Sequence, residues 1–375
     1  MQDFINKIQN LKNFFSIKTD KKLVIFYSEG FNYRNYLLPL IKKISLEKEF
    51  CVAYVTSDSR DNHSIHPNVS NYFIGTGLFR LIFFTLIKCD FLITTLSNLN
   101  NNIKVSKNVK KIVYIPHSLC STHKVYEKHA FQHYDIFFST GDYQKKELEK
   151  SENIYGYPKK KVFNVGYIFF ENFKEEKNYK KISETNCIIF APSWQRDSKN
   201  LINDYGRHII KALLKKNYYV ILRLHPESVK RSNNEINLII REFKDKKNFL
   251  LNTDLSDLSV FSKSEILITD NGGVSLEYVY LYHKPVLYLN YKEKIQNNDY
   301  QKINQDTFED NFKLNFCYED KAINFENIDK KIEMIKKNFY SNKLEKALKF
   351  LHNNINFYSS SSDKIIQVLK KIKLN

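Results

Sequence analysis

Short apolar runs alternate with helical segments along the first half of the chain. Between some of the runs lie segments with helical apolar spacing, such as RNYLLPLIKKISLE. The runs are rich in β-branched and aromatic residues, which are typical of buried strands, and they begin at Leu23, Cys51, Phe91, Ile112, Ile136 and Val162. This alternation predicts a parallel sheet that is covered by helices.

A charged segment without a clear period interrupts the alternation at residues 168–184. The strand-like runs then restart, and they begin at Cys187, Tyr218, Asn248, Glu265 and Pro285. From about Thr307 onward the pattern predicts helices and no strands, with a helix start at Ser359 to Ser362. We therefore predict an α/β protein with two Rossmann-like domains, at residues 1–167 and 185–375, joined by a linker at 168–184 and ending in helices. Two facing α/β domains bring their strand ends to a central cleft, where ligands generally bind.

The first 18 residues predict an amphipathic helix. Phe4, Ile8, Leu11 and Phe15 fall on one helical stripe, and several lysines supply positive charge around it. Two interpretations stay open. The stripe lies on an anionic membrane surface, or it packs on the protein's own body.

The net charge narrows the range of partners. The chain of 375 residues has a formal charge of +18, largely from lysines that are scattered over its whole length. A basic balance suits nucleic acid, an anionic membrane surface or phosphorylated substrates. Because the lysines form no single stripe and no aromatic RNA-binding motif is present, a nucleic-acid-binding protein is the less favoured class.

Cysteine usage and hydropathy predict a cytoplasmic protein. The five cysteines are widely spaced and form no CxxC pair, which is typical of reduced thiols. The most apolar stretch begins at Leu78, and Arg80, Lys88 and Asp90 interrupt it before it could span a bilayer. The N-terminus also lacks the apolar core of a secretory signal.

The only Gly-Gly pair of the chain lies between a predicted strand and a predicted helix, in Asp270-Asn271-Gly272-Gly273. The start of a helix leaves backbone N–H groups free, and glycine lets an anion approach them closely, so the turn predicts a phosphate site. Glu277 lies one helical turn later, where its carboxylate could accept hydrogen bonds from a ribose. The alternative is a purely structural turn followed by a solvated glutamate.

Two further strand ends carry candidate side chains. In LRLHPES, alternation places Arg223 and His225 on one face, where they could clamp an anionic group together. In IPHSLCSTHKVYEKH, His117 and His123 are candidates for a general base, whereas His129 is better explained as structural. The six-residue spacing of these histidines does not match a helical zinc site, and we predict neither a metal nor a cofactor.

Four segments resemble the ordered motifs of the CDP-glycerol glycerophosphotransferase family, whose members build teichoic-acid-like polymers and related capsular polysaccharides on a GT-B fold. They are IPHSLCSTHKVY, APSWQRD, LRLHP and ILITDNGGVSLEYVYLYHKPVLYL, and LVIFYSEGFNYRNYLLPLI resembles the opening strand and helix of that family. The family usually has a Ser-Ser pair where Gly272 and Gly273 stand. In this respect DNGGVSLE is closer to the phosphate and ribose loop of the non-hydrolysing UDP-N-acetylglucosamine 2-epimerases, which share the GT-B scaffold.

The resemblance implies a transferase that moves a glycerol-phosphate or related polyol-phosphate group from a CDP-linked donor to a hydroxyl of a polysaccharide, lipid-linked or teichoic-acid-like acceptor, with release of CMP. The first domain would hold the acceptor and the second the donor. His117 would be the base, with His123 in reserve, and Arg223 with His225 would neutralise phosphate charge. The implied donor-binding residues are Ser193, Asp270, Asn271, Gly272, Gly273 and Glu277.

Two other enzymes would suit the same scaffold. A GT-B glycosyltransferase that uses a nucleotide-sugar in capsule or lipopolysaccharide synthesis is the main alternative, because the same phosphate contacts would serve its leaving group. An isomerase of the epimerase type is a weaker alternative, because the other acidic signatures of those enzymes are not found in this sequence.

Overall fold

We describe the protein from a computed structural model. The structure describes residues 2–61, 63–173, 186–195, 199–231, 234–254, 257–320, 325–356 and 360–374. Within these ranges the strands form two separate sheets, and neighbouring strands are parallel in both. The predicted α/β fold with two Rossmann-like units is therefore confirmed.

The first sheet comes from the first half of the chain. Its strands are β1 (Lys22–Ser28), β2 (Phe50–Thr56), β3 (Val69–Phe73), β4 (Cys89–Thr94), β5 (Val109–Tyr114), β6 (Ile136–Ser139) and β7 (Lys161–Asn164). They lie in the order β3-β2-β1-β4-β5-β6-β7. The accompanying helices are α1 (Gln2–Phe15), α2 (Phe31–Arg34), α3 (Leu38–Ile44), α4 (Leu78–Leu86) and α5 (Asp142–Tyr155), with short 3-10 helices at Ser59–Asp61 and Ile168–Phe173.

The second sheet comes from the second half. Its strands are β8 (Cys187–Phe190), β9 (Tyr219–Arg223), β10 (Phe249–Asn252), β11 (Ile266–Thr269), β12 (Val286–Leu289) and β13 (Tyr318–Asp320), in the order β10-β9-β8-β11-β12-β13. The helices are α6 (Leu201–Lys215), α7 (Pro226–Lys230), α8 (Asn234–Phe243), α9 (Ser259–Lys263), α10 (Val274–Tyr282), α11 (Phe308–Phe316), α12 (Ile328–Asn338), α13 (Leu344–Asn354) and α14 (Ser361–Lys371). A 3-10 helix at Tyr300–Ile303 follows β12, and a π-helical turn at Phe339–Lys343 joins α12 to α13.

The central strands are buried along their whole length, because helices cover both faces of each sheet. Every residue of β8, β11 and β12 is buried. Strands in such a position read as continuous apolar runs, which is why the sequence pattern located them correctly.

Two strands were not predicted, and both lie at a sheet edge. The expectation that no strand follows Thr307 is wrong, since β13 pairs in parallel with β12 through Leu287 and Tyr318. The edge strand β3 is also polar in part. An edge strand has a neighbour on one side only and tolerates polar residues, so its sequence carries a weak signal. The last helix was predicted to start within Ser359 to Ser362. In the structure Ser360 is at its cap position, and Ser359 lies outside the described residues.

The last helix, α14, returns to the first sheet. Ile365 and Leu369 are buried in the same cluster as Leu40 and Ile44 of α3. The returning chain passes so close to Gly166 that a Cβ there would lie 1.7 Å from the carbonyl oxygen of Asn356. The C-terminal segment thus holds the two halves together, and the predicted domain boundaries remain a prediction.

The N-terminal helix α1 forms as predicted, and its stripe divides between two environments. Leu11 and Phe14 are buried against the first domain. Phe4, Ile8 and Phe15 stay 57%, 46% and 42% exposed. None of the helices in the described ranges is long and apolar enough to cross a membrane.

Candidate active site

A cavity of about 450 Å³ lies where the two halves of the molecule meet. Residues that follow β4, β5, β8, β9, β11 and β12 line it, so the carboxyl ends of both parallel sheets face it. This is the position at which parallel α/β sheets generally bind ligands. Of the predicted site residues, the cavity brings together His117, Ser193, Arg223, His225, Asn271, Gly272, Gly273 and Glu277.

The Gly-Gly turn connects β11 to α10, and a different structural requirement explains the glycine at each of its two positions. Gly272 has a φ of +105°, a value that residues with a side chain rarely adopt. Apart from its neighbours in the chain, no residue that the structure describes has an atom within 4 Å of the position that a Cβ would take. At Gly273 a Cβ would lie 2.4 Å from Oγ of Ser118 in the first domain. The first glycine therefore allows the turn to form beside the open cavity, and the second allows the two domains to approach each other.

Asp270 lies behind this turn and is not among the residues that line the cavity. Its Oδ1 accepts the backbone N–H of Ser193 at 2.7 Å, and its Oδ2 accepts the Ser193 hydroxyl at 3.0 Å. Burial raises the pKa of this carboxyl. The expectation that Asp270 contacts the substrate is thus not supported by its position. It positions Ser193, which does line the cavity.

Glu277 lies in the first turn of α10 and is buried at the cavity wall. Its Oε1 accepts a hydrogen bond from the Tyr167 hydroxyl at 2.6 Å. Burial raises the pKa of Glu277 to about 7, although the Tyr167 hydrogen bond and the charge of Arg223 oppose the shift. The solvated glutamate of the alternative interpretation is not what the structure contains.

Arg223 ends β9 and is almost fully buried beside the cavity. Its Nη1 donates to the side chain of Asn252 and, at 3.1 Å, to the backbone carbonyl of Asp257. The guanidinium also lies over the ring of Phe261, 4.7 Å from the centroid. Burial lowers its pKa to about 10, so the group remains charged at neutral pH.

His225 caps the N-terminus of α7, where its Nδ1 accepts the backbone N–H of Glu227 at 3.2 Å. In the neutral ring the proton is therefore on Nε2, which can donate to a ligand. Burial, followed by the charges of Lys294 and His117, lowers the pKa of His225 to about 3. His225 is consequently neutral at pH 7, and it offers a hydrogen bond where a positive charge was expected.

His117 follows β5, and its hydrogen bond has the opposite sense. Its Nδ1 lies 3.1 Å from the carbonyl oxygen of Thr95, which can only accept, so Nδ1 carries the proton and Nε2 carries the lone pair. Burial, and then the charge of Lys294, lowers the pKa of His117 to about 4. A neutral imidazole with a free Nε2 lone pair has the form that a general base requires.

His123 is placed elsewhere. Its side chain is fully buried, with Nε2 3.0 Å from the carbonyl oxygen of Gln305 and Nδ1 3.4 Å from Oε1 of Glu147. It does not line the active-site cavity, so its expected part as a substitute base lacks structural support. Instead it joins a first-domain loop to the segment before α11. Nothing in the sequence around a histidine in a polar loop near a strand end shows whether it acts as a base or joins two segments of the structure.

Several cavity residues were not found from the sequence. Among them are Tyr33, Tyr36, Thr95, Tyr126, Trp194 and Lys294. Trp194 is the single tryptophan of the chain and lies within the APSWQRD motif, which was a usable signal; the last two residues of that motif lie outside the described residues. The three tyrosines are among 25 in the chain, so nothing in the sequence distinguishes them.

Two parallel α/β units with candidate residues on facing strand ends define the GT-B class of enzymes. A model of the CDP-Glycerol:Poly(glycerophosphate) glycerophosphotransferase family matches residues 11–367. Because the match spans nearly the whole chain, the protein belongs to this family of transferases. No curated protein matches the chain at a significant level.

Solved structures show the same architecture. A variant of the wall teichoic acid polymerase TagF with CDPG has a TM-score of 0.58 and 13% identity, covering 99% of this chain and 97% of the other. A proposed UDP-N-acetylglucosamine 2-epimerase from Listeria monocytogenes has a TM-score of 0.61 and 13% identity, with coverage of 95% and 99%. The UDP-GlcNAc 2-epimerase of Neisseria meningitidis, bound to UDP-GlcNAc, has a TM-score of 0.58 and 14% identity, with coverage of 94% and 100%. At these identities the similarity shows the fold, and it confirms the GT-B class.

Proposed function

We propose that this protein transfers a glycerol-phosphate or related polyol-phosphate group from a CDP-linked donor to a hydroxyl of a teichoic-acid-like or other cell-surface polysaccharide, with release of CMP. The observation that carries the proposal is that one cavity contains both the Gly272 turn and a histidine, His117, whose Nε2 can accept a proton. Membership of the family and the similarity to TagF, whose structure contains CDPG, support the same donor.

In this proposal the second domain binds the donor. The diphosphate lies over the Gly272 turn, where backbone N–H groups and the N-terminus of α10 favour negative charge. A ribose hydroxyl donates to Glu277. Arg223 supplies a positive charge and His225 donates from Nε2, and both stabilise the charge that develops on the phosphates.

His117 acts from the first domain as the general base. The acceptor hydroxyl oxygen attacks the phosphorus that carries the polyol, and its proton passes to Nε2 of His117. The new O–P bond forms as the bond between this phosphorus and the bridging oxygen breaks, and CMP leaves with the electron pair. A positioned base of this kind contributes roughly a hundredfold to ten-thousandfold in rate.

The glycosyltransferase alternative keeps one specific observation in its favour. The turn contains Gly272 and Gly273 where the family usually has serines, and the Neisseria meningitidis epimerase with the same fold is bound to UDP-GlcNAc. Such an enzyme would direct attack to an anomeric carbon and would release a nucleoside diphosphate.

A donor panel separates the two functions. The purified protein is incubated with CDP-glycerol, CDP-ribitol and UDP-linked sugars in the presence of a polyol-phosphate acceptor, and the nucleotide products are resolved by chromatography. We expect CMP from a CDP-polyol and no product from the UDP-sugars. Release of UDP from a UDP-sugar, without CMP from any CDP-polyol, would overturn the proposal and establish the alternative.

We further propose that the acceptor is met at an anionic membrane surface on the cytoplasmic side. The exposed residues of α1 adjoin those of α4, where Leu78 and Leu81 are 67% and 48% exposed, and Phe4 packs on Phe79 with centroids 5.3 Å apart. Apolar side chains surrounded by lysines suit anionic head groups.

The same surface adjoins the first-domain wall of the cavity. Arg80 of α4 lies 3.9 Å from Glu29, which lines the cavity. A lipid-linked acceptor held at the α1–α4 surface would therefore meet the side of the cleft that contains His117.

A further inference from the structure

A lysine that the mechanism above does not use lies in the active-site cavity. Lys294 is part of the segment after β12, and it lines the cavity together with His117, His225 and Gly272. Its neighbour Lys124 pairs with Glu293 and Asp310, at 3.2 Å and 2.5 Å. By contrast, Lys294 forms no ion pair with any carboxylate in the ranges that the structure describes.

The backbone on both sides of Lys294 is fixed, and the two anchors lie in different domains. On one side the carbonyl of Lys292 accepts from the side chain of Asn271 at 2.6 Å, which ties the segment to the Gly-Gly turn. On the other side the backbone N–H of Gln296 donates to the carbonyl of Lys124 at 2.9 Å, which ties the segment to the first domain. Lys294 is therefore carried by a segment that spans from the Gly-Gly turn to the first domain.

The electrostatics agree with this position. Lys294 lines the same cavity as His117 and His225, and its charge lowers the pKa of both imidazoles. Burial lowers the pKa of Lys294 itself, since the site removes water from the ammonium. Lys294 is half-buried, and the charges of Asp270 and Glu309 act on it without forming an ion pair. An anionic ligand would therefore compensate for the water that the ammonium loses.

We propose that Lys294 is a further donor-binding residue, whose ammonium contacts the diphosphate between the Gly272 turn and His117. This inference rests on the proposed function for the identity of the donor, but its chemistry requires only a nucleoside diphosphate. Arg223 and Lys294 would then supply the two positive charges, while neutral His225 supplies a hydrogen bond. The arrangement would also keep His117 unprotonated until an acceptor hydroxyl gives up its proton.

Calorimetry with CDP and cytidine tests the contact. A hydrogen bond to a charged group is worth about 1.5 to 3 kcal/mol, so Lys294→Met should weaken CDP binding roughly tenfold to a hundredfold. Cytidine lacks phosphate, and its affinity should not change. Lys294→Arg should restore part of the CDP affinity. Lys302→Met, which removes an exposed lysine farther along the same segment, should bind CDP as the wild type does.

The pH profile gives a second measurement, which tests whether the charge of Lys294 acts on His117. Removal of the Lys294 charge raises the pKa of His117, so the acid limb of kcat/KM should shift to higher pH in Lys294→Met. Unchanged CDP affinity, or an equal loss of CDP and cytidine affinity, would overturn the proposal. If the wild type binds UDP and not CDP, the donor assignment fails, and the same comparison with UDP and uridine still tests Lys294. If the wild type binds neither nucleotide, both proposals fail.

Discussion

His117 and His225 face one cavity from different domains and use their ring nitrogens in opposite ways. Nδ1 of His117 donates to the Thr95 carbonyl, whereas Nδ1 of His225 accepts the Glu227 backbone N–H. Both rings are neutral at pH 7, because burial lowers both pKa values. The Nε2 atoms that remain are an acceptor on His117 and a donor on His225. One fold thus provides a base and a hydrogen-bond donor from the same residue type.

Replacement of the base should separate turnover from binding. His117→Gln removes the proton acceptor, and kcat should fall by roughly a hundredfold to ten-thousandfold. CDP binding measured by calorimetry should survive, since His117 belongs to the acceptor side. His129→Gln is the matched control, because His129 is exposed and its Nδ1 pairs with the Tyr157 hydroxyl away from the cavity. A parallel loss of CDP affinity in His117→Gln would assign His117 to donor binding.

The neutral state of His225 predicts which substitute can replace it. His225→Ala removes a donor to the phosphates and should cost about 2 to 4 kcal/mol of transition-state stabilisation, or roughly thirtyfold to a thousandfold in kcat/KM. His225→Gln retains an N–H donor and should recover much of that loss. If the phosphates instead require a positive charge at this position, the glutamine variant will be as slow as the alanine variant.

The contact between Gly273 and Ser118 should appear in a double-mutant cycle. Gly273→Ala places a Cβ 2.4 Å from Oγ of Ser118, and such overpacking costs about 1 to 3 kcal/mol of unfolding free energy. Ser118→Ala removes that oxygen and leaves a Cβ at 3.5 Å, which is ordinary contact. Urea unfolding should therefore show coupling of about 0.5 kcal/mol or more in the double variant. Additive effects would show that the two domains do not touch here in solution.

Glu277 should contribute a loss of stability as pH rises. Its pKa is about 7 in the folded protein, above its usual 4.5, so folding favours the protonated form. This contribution is present below pH of about 4.5 and is lost as pH rises through 7. From pH 5 to pH 8, the change in unfolding free energy should therefore be more positive in Glu277→Gln than in the wild type. Glu309, whose pKa is also raised to about 7, acts in the same direction as Glu277, whereas the lowered pKa values of His117 and His225 act in the opposite direction, and these three groups contribute to both proteins.

The size of this effect has an upper limit of about 3 kcal/mol, which is the free energy that corresponds to the pKa shift. The measurement is the difference in unfolding free energy between pH 5 and pH 8 for the wild type and for Glu277→Gln. Glu149→Gln, a change on the exposed side of α5, should retain the wild-type difference. The same pH difference in Glu277→Gln and the wild type would show that Glu277 titrates normally.

Membrane binding should depend on the exposed part of α1 and not on its buried part. Phe4→Ser with Ile8→Ser should reduce co-sedimentation with phosphatidylglycerol vesicles, and salt should release the wild type. Deletion of the helix is a poorer test, since Leu11 and Phe14 belong to the core. Leu314→Ser with Met334→Ser changes two exposed apolar residues of α11 and α12 and should not alter sedimentation. Equal sedimentation of both double variants would remove α1 from the membrane proposal.

The sequence by itself determined the elements and their class. Central strands such as β8 and β11 are buried on both faces, and this burial requires the continuous apolar runs that the pattern reveals. The sequence also indicated Arg223, His225, Gly272 and His117, because each lies at or just after a strand end and parallel sheets bring those ends to one edge.

Only the tertiary structure decided which polar side chains face the cavity and in which chemical form. Asp270 directly precedes the cavity residue Asn271, yet its side chain bonds to Ser193. His123 is six residues from His117, yet its side chain bonds to Gln305. The tautomer of His117 depends on Thr95, which is distant in the sequence, and the neutral state of both His117 and His225 depends on burial. Only the tautomer of His225 depends on a local partner, the backbone N–H of Glu227. Lys294 enters the cavity because Asn271 and Lys124 anchor its segment from two domains, and no local pattern contains such long-range contacts.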